Sequence, residues 1–516
     1  MTKRNNFIIL SIGLFAVSAA YNFYLIKIPI GMYDEGIILA AADRILNGER
    51  PYADFWGMYP PGQFYTLALL FKLFGTSILT ERMYDILIRT LLSLCSFFII
   101  RKICSSNTLA IIGWGMSLIL LGSEGFSAYP IYTAILLIFL GIYFFLHSIE
   151  TDKTHYLIYS GIFMALGALF RHDLAGMAAI SALISLFLPA DTGKGKKFRS
   201  VSYFLFGIAS AGVPIALSLI STIGIHPIIH QLLLTPPEIM PKYRWLPYPS
   251  GFCYYSIKYY IYPFILFAGL LSSSVLIFGY KIHNSLSHGL FLLSLTGILF
   301  GNQVRVRSDD IHLFPTGLLA SVAGPILLSV LIASGLKHVK PLLNRIGASL
   351  LFIMLMLPLI GPVYDKLRDI NDDYFTIQKS LLDRAGYADV SKDTEELIGY
   401  IKGHTVPTDA IYVGVTNHDQ FIINDVAVYF LAGRRYATKY HELHPGVSTT
   451  SVIQKEIIQE LSASSPKLMV LAPRYWYEPN DTVIDSRVDL LDRYIAVHYK
   501  MAAKFGPYEI HIPIQS

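Results

Sequence analysis

The chain has 516 residues, 53% of them hydrophobic and only 15% charged, with a mean hydropathy of +0.50; soluble domains carry about 25% charge, so the composition excludes an ordinary soluble enzyme and predicts a polytopic membrane protein. The formal net charge of +5 is modest and its basic residues recur in short loops, which ties it to topology and lipid headgroups rather than to nucleic acid. Cys95, Cys104 and Cys253 do not make a disulfide framework.

At the N-terminus MTKRNN precedes a long apolar run, with Ser18, Ala19 and Ala20 placed like the small residues of a cleavage site. The run continues to Ile30, too long for a typical signal peptide core, so an uncleaved signal anchor is expected. Eleven apolar stretches are long enough, or nearly so, to cross a bilayer: residues 7–30, 82–100, 109–122, 129–146, 156–170, 174–188, 201–223, 255–280, 290–301, 313–332 and 346–362. A shorter apolar helix, 63–74, follows Pro60-Pro61-Gly62 and is placed in the interface.

Lys and Arg accumulate in cytoplasmic loops. With Lys3 and Arg4 inside, alternate connections carry Arg101-Lys102, then Lys153, then Lys194, Lys196, Lys197 and Arg199, then Lys281, then Lys337, Lys340 and Arg345. The remaining connections hold Asp34-Glu35, Glu124, Arg171-His172-Asp173, residues 235–250 and residues 303–312, so every chemically unusual cluster falls on the opposite, extracytoplasmic face. An odd span count also puts the segment from residue 365 onward there. Its mixed patterning predicts a small α/β domain with helices at 365–382, 392–401 and 451–461, strands at 410–415 and 467–471, and a terminal hairpin of 494–499 with 508–512. The expected division is a membrane domain, 1–364, with an outer loop at 31–81, and an extracytoplasmic domain, 365–516.

Two adjacent carboxylates where a span meets water are ordinarily a hydrated helix end, favoured by the helix dipole. Their alternative use is as a site: Asp34 taking a proton from an acceptor hydroxyl, Glu35 holding a divalent cation or orienting a neighbour. Asp34 opens an expected amphipathic helix with Ile37, Ile38, Ala41, Ile45 and Leu46 on one flank and Asp34, Asp43 and Asn47 on the other. In GNQVRVRSDDIHLFP, residues 301–315, an extended backbone projects Gln303, Arg305 and Arg307 to one side, where two guanidiniums can hold a phosphate. Asp309 and His312 are an i,i+3 pair at the start of the next span; the competing picture is an exposed loop whose arginines pair with Asp309 and Asp310 or with lipid phosphates. Arg171 and Asp173 neutralise each other between two short spans and leave His172 as a donor. TPPEIMPKYRWLPYPS, 235–250, with Glu238, Lys242 and Arg244, suits a clamp over lipid or sugar, or an aromatic belt. His441-Glu442-Leu443-His444 lacks the spacing of a zinc protease helix and reads as a loop.

Tyr33-Asp34-Glu35, Tyr59-Pro60-Pro61-Gly62 and, more loosely, residues 305–312, set among many spans and a C-terminal α/β domain, resemble the GT-C superfamily of membrane glycosyltransferases, nearest the protein mannosyltransferases and lipid A aminoarabinose transferases. The resemblance implies transfer of a sugar from a polyprenyl phosphate donor to a glycan, lipid or protein acceptor, with inversion, at the outer face of a bacterial-type inner or plasma membrane. Asp34 is then base or metal ligand and Glu35 its partner, with Mg or Mn as the possible cation. Arg305, Arg307, His312 and Arg171 fall to the donor phosphate, and His172, Asp173, Tyr59, Gln63, Asp309, Asp310, Lys242 and Arg244 to the substrate pocket. A flippase for a lipid-linked sugar, a glycan polymerase or ligase, and a non-catalytic receptor are the competing readings; mid-span charges or repeated halves would favour the first.

Overall fold

The computed structural model describes residues 3–123, 125, 127–189, 194–251, 253, 255–333, 341–371, 377–473 and 485–514. Glu124, Lys337 and Lys340, used above to argue topology, lie outside the described residues, as does the middle of the helix expected over 365–382.

Each of the eleven apolar stretches is a helix. Among the described residues eight are long and apolar enough to cross a membrane, while Asn107–Ser123, Tyr156–Ala168 and His172–Phe187 are shorter. Backbone polar groups in hydrocarbon must be satisfied within the segment, which is why continuous apolar runs become helices. Lys3–Asn22 leads into a 3-10 turn, Phe23–Lys27, and Gly62–Phe74 forms the expected short helix after the prolines. The prolines and Gly62 act together: Pro61 precedes the helix, and the Gly62 amide donates to the Leu169 carbonyl at 2.8 Å, so close that a Cβ on Gly62 would meet that oxygen at 2.6 Å.

The C-terminal domain carries a five-stranded sheet of β1 (Ala410–Val415), β2 (Arg435–Tyr436), β3 (Leu468–Ala472), β4 (Tyr499–Phe505) and β5 (Tyr508–Pro513), in the order β2-β1-β3-β5-β4. β1 runs parallel to β2 and β3, whereas β5 is antiparallel to β3 and β4. Every residue of β3 is buried, as a central strand requires. Helices Lys392–His404 and Ser451–Ser464 match expectation, each opened by a Ser or Thr whose side chain accepts an amide of the first turn. Two expectations fail. Leu490–His498 is helical, so the hairpin starts at Tyr499, and the helix that closes the bundle, Ile360–Asn371, does not extend to residue 382, which lies in a turn. The three cysteines are free thiols.

The domain is clamped onto the bundle through Asp34–Leu46. That helix is buried from Glu35 to Arg44 and not on one flank alone, because Ala427–Ala432 packs on the face expected to be solvated. Asp43 therefore meets Arg384 at 3.1 Å, and Arg44 donates to the Thr438 carbonyl at 3.0 Å. Gly36 permits the approach: a Cβ there would lie 2.6 Å from the Ala427 amide nitrogen. Gly36→Ala is expected to cost about 1–3 kcal/mol by overpacking, read as a lower Tm of the full chain in detergent; an unchanged Tm would mean that the domain shifts freely on the bundle.

Candidate active site

Adjacent residues on an α-helix point about 100° apart, and the first turn of Asp34–Leu46 uses that angle to separate its two acids. Glu35 turns inward. Its Oε1 sits 2.7 Å from Arg82 Nη2, its Oε2 accepts the Gly31 amide at 2.6 Å, and the side chain is 3% exposed. Arg82, wholly buried, also reaches Glu81 at 3.2 Å and donates to the Ser127 hydroxyl. One turn further along the same helix, Ile78–Cys104, Asp85 accepts from Arg89 at 2.8 Å, and the Arg89 guanidinium lies over the Tyr132 ring at 4.1 Å. Burial raises the Glu35 pKa, and Arg82 is the main group holding it down.

Asp34 turns the other way and is half-buried. Its Oδ1 accepts from the Tyr59 hydroxyl at 2.9 Å, and Tyr59 meets the Tyr129 hydroxyl at 3.0 Å with the two rings edge-on. Tyr59 is itself positioned by Tyr52, whose hydroxyl donates to the Tyr59 carbonyl at 2.6 Å. Desolvation raises the Asp34 pKa; the Tyr59 hydrogen bond and then the charges of Arg244, His312 and Arg307 oppose it. The carboxylate thus lies within electrostatic reach of two guanidiniums and an imidazole drawn from separate parts of the chain.

Those cations are held by backbone pairing. Leu246 and Arg307 form an isolated parallel bridge, with the Leu246 amide donating to the Val306 carbonyl at 3.2 Å. Arg307 donates to the Arg244 carbonyl at 2.9 Å and, through Nε, to Asp309 at 2.7 Å. Asp309 also takes the His312 amide at 3.1 Å and the His312 ring nitrogen, capping the helix Asp310–Ala333. Although burial pushes Asp309 up, His312 and Arg307 hold its pKa below the ordinary value. Beside this group Arg171 grips Asp173 with two hydrogen bonds, 3.0 and 2.8 Å, and Asp173 accepts from Gln303 at 2.6 Å. Tyr59 and Tyr129 lie within electrostatic reach of Arg171.

Several expected members lie elsewhere. Residues 302–306 form a short helix, not a strand, because the Gln303 side chain is drawn into the interior by Asp173. Arg305 is consequently exposed and, among the described residues, bonds with Asn302 in the same turn, at 3.1 Å, rather than joining Arg307. Lys242 is exposed, with its ammonium over the Tyr243 ring. Asp310 pairs with Lys258 at 2.6 Å, away from Asp309. Gln63 is fully buried and accepts from Tyr84 and Thr133. His172 sits half-buried next to Arg171, with Nδ1 unpartnered among the described residues. The stretch 235–250 is partly helical, Thr235–Tyr243, since prolines at the first helical positions need no amide partner.

A divalent cation shared by Asp34 and Glu35 does not fit. The two carboxylates point about 100° apart and have separate partners: Glu35 is taken by a guanidinium and an amide, and Asp34 by the Tyr59 hydroxyl, within electrostatic reach of cations. Among the described residues no group of three His, Cys, Asp or Glu is placed to hold a metal.

Residues missed from the sequence are Arg82, Tyr129 and Glu442. Arg82 stood at the edge of an apolar run with Glu81, Asp85 and Arg89, and charges of that kind inside a span are themselves a signal. Glu442 has no such signal. It is 1% exposed in an irregular loop, with one oxygen unpartnered among the described residues, and it lies within electrostatic reach of Asp34. Burial, with Asp34 second, pushes its pKa well above the carboxylate range.

The fold has counterparts in known proteins. Residues 58–225 match the family model described as dolichyl-phosphate-mannose-protein mannosyltransferase. No curated protein matches at the sequence level. ArnT from Cupriavidus metallidurans has a similar structure: bound to undecaprenyl phosphate it gives a TM-score of 0.56 at 14% identity, covering 99% of this chain and 98% of that one. Its apo state gives 0.58 at 13%, covering 99% of each. The chain is therefore a polytopic helical membrane protein with a sheet-containing C-terminal domain, and its fold is similar to that of ArnT.

Removing one partner of a buried ion pair typically costs about 3–5 kcal/mol. Glu35→Gln and Arg82→Met should each lower the Tm in detergent strongly, while Asp34→Asn should leave it within a degree or two of wild type; equal loss in all three would mean that both acids are structural.

Proposed function

We propose that the chain is a membrane glycosyltransferase that moves a hexose or pentose from a polyprenyl phosphate donor to an acceptor hydroxyl, with inversion. One observation carries the reading: a half-buried carboxylate, Asp34, is held by the Tyr59 hydroxyl within electrostatic reach of Arg244, Arg307 and His312, while its neighbour Glu35 is paired with the buried Arg82. The family-model match and the ArnT likeness support it.

The reaction needs two opposed functions. The acceptor oxygen forms a bond to the anomeric carbon as the bond from that carbon to the phosphate oxygen breaks. Asp34 takes the acceptor proton as general base, an effect usually worth about 10²–10⁴-fold. The departing phosphate carries the electron pair, and Arg307 and Arg244, with His312 as a further donor, stabilise its charge. Arg171 is assigned a supporting part, since its guanidinium is committed to Asp173 and contributes mainly field near Tyr59. Glu35 is a positioning residue. Residues 1–364 hold the donor and the chemistry, and 365–516 wall the site. The loop charges support a cytoplasmic N-terminus and a site on the outer face of a bacterial-type inner membrane.

The test is sugar transfer from a panel of radiolabelled polyprenyl phosphate sugars, in membranes with matched expression. Asp34→Asn should lower turnover by at least about 10²-fold, and Arg307→Met should remove most donor use, while Arg305→Met should leave transfer near wild type. Undiminished transfer in Asp34→Asn, or no transfer by wild type from any donor, overturns the reading.

A base must be ionised, and the Asp34 pKa is raised by burial. Turnover should therefore fall on the acid side with a midpoint above the ordinary aspartate value of about 3.9. The Tyr59 hydrogen bond lowers that pKa, so Tyr59→Phe should move the midpoint to higher pH. A midpoint unmoved by Tyr59→Phe and by Asp34→Glu would assign the proton to another group.

A further inference from the structure

A second concavity lies where the outer loop, the helical segment after residue 225 and the C-terminal domain meet. Its volume is about 290 Å³, the liquid volume of about ten waters. Its walls come from Tyr52 and Trp56, from Gln231 and Glu238, and from Tyr440 and Ile453. None of these residues belongs to one of the eight long apolar helices.

The walls are tied in place. Gln231 is committed at both ends, accepting the Gly57 amide at 3.1 Å and donating to the Tyr52 carbonyl at 2.9 Å. Trp56 is fixed by its amide, which donates to the Lys439 carbonyl at 3.1 Å, and its ring lies 6.5 Å from that of Tyr440. Charge is largely cancelled. Lys439, which also lines the cavity, is paired with Glu456, so no unopposed cluster of cations awaits a phosphate. Glu238 is exposed at the rim, and the His230 ring borders the same space.

Aromatic surfaces beside carboxylate, amide and imidazole groups, with little net positive charge and no wall from a long apolar helix, suit an uncharged polyol of ring size. Trp56 is three residues before Tyr59, whose hydroxyl donates to Asp34, and three residues of chain span at most about 11 Å. A molecule presenting a hydroxyl to Asp34 can therefore keep a neighbouring ring in this cavity.

We propose that the cavity is an acceptor subsite for an uncharged saccharide, so that the acceptor is itself a glycan of two or more rings. The inference rests on the glycosyltransferase reading for its role, and its test separates the two. The experiment measures binding of cellotetraose, mannotetraose and chitotetraose to the purified full chain in nanodiscs by saturation-transfer NMR, for wild type, Asp34→Asn, Glu238→Ala and Ile453→Trp. Ile453→Trp fills the cavity, and a thermal scan checks that each variant folds. Expected is binding by wild type and Asp34→Asn, weakened at least tenfold by Ile453→Trp and measurably by Glu238→Ala. If no oligosaccharide binds, or if folded Ile453→Trp binds as wild type does, the subsite is overturned, whatever the transfer assay shows. If binding behaves as expected while no donor supports transfer, the cavity stands and the enzymatic reading falls. If Ile453→Trp misfolds, Glu238→Ala and a His230→Ala,Glu238→Ala double variant decide the matter: unchanged binding in both overturns it.

Discussion

The buried contact between Glu35 and Arg82 is the constraint on which the rest depends. It fixes the rotation of the helix Asp34–Leu46 about its own axis, because a guanidinium with no exposure admits one partner geometry, and the Gly31 amide completes the carboxylate's shell. Once Glu35 points inward, the 100° step of the helix turns Asp34 away from it. Two neighbouring acids of nearly identical chemistry thereby take different partners, Arg82 for Glu35 and Tyr59 for Asp34. The orientation of one is set by the structural commitment of the other.

The same helix is also what the C-terminal domain grips. Gly36 lets the Ala427–Ala432 helix touch it, Asp43 takes Arg384, and the Tyr33 hydroxyl donates to the Leu443 carbonyl at 3.3 Å. Arg44, sandwiched within 5.1 Å of Phe55 and 4.6 Å of Tyr436, ties the loop after the helix to the domain as well. A carboxylate enclosed in this way loses hydration, which raises its pKa and strengthens every charge near it.

How much of this was legible in the sequence follows from which interactions are local. The apolar stretches read cleanly, since hydrocarbon leaves the backbone no choice but helix. So did the adjacent acids, the short helix after Pro60-Pro61-Gly62 and the α/β character beyond residue 365. The alternation in Gln303-Val304-Arg305-Val306-Arg307 mimicked a strand, yet five residues are too few to distinguish periods of 2 and 3.6, and a hydrogen bond to Asp173, 130 residues away, decided for helix. That choice separated Arg305 from Arg307. Arg244 became the second guanidinium instead, by a two-strand bridge that no pattern within 235–250 announces. Arg82 was visible as a charge at the edge of an apolar run, but its partner was not.

Displacement at an anomeric carbon requires a base on one side and cations on the other, held apart so that they do not simply neutralise each other. Here Asp34 is restrained by a tyrosine hydroxyl, whereas Arg307 is engaged by Asp309 and by the Arg244 carbonyl. Each of these groups therefore has its own retaining partner. Arg244 in turn donates to the Ile422 carbonyl of the C-terminal domain at 3.4 Å, and Glu442 of that domain lies within electrostatic reach of Asp34. The bundle supplies the groups, but their separation and desolvation depend on a domain folded from the last third of the chain.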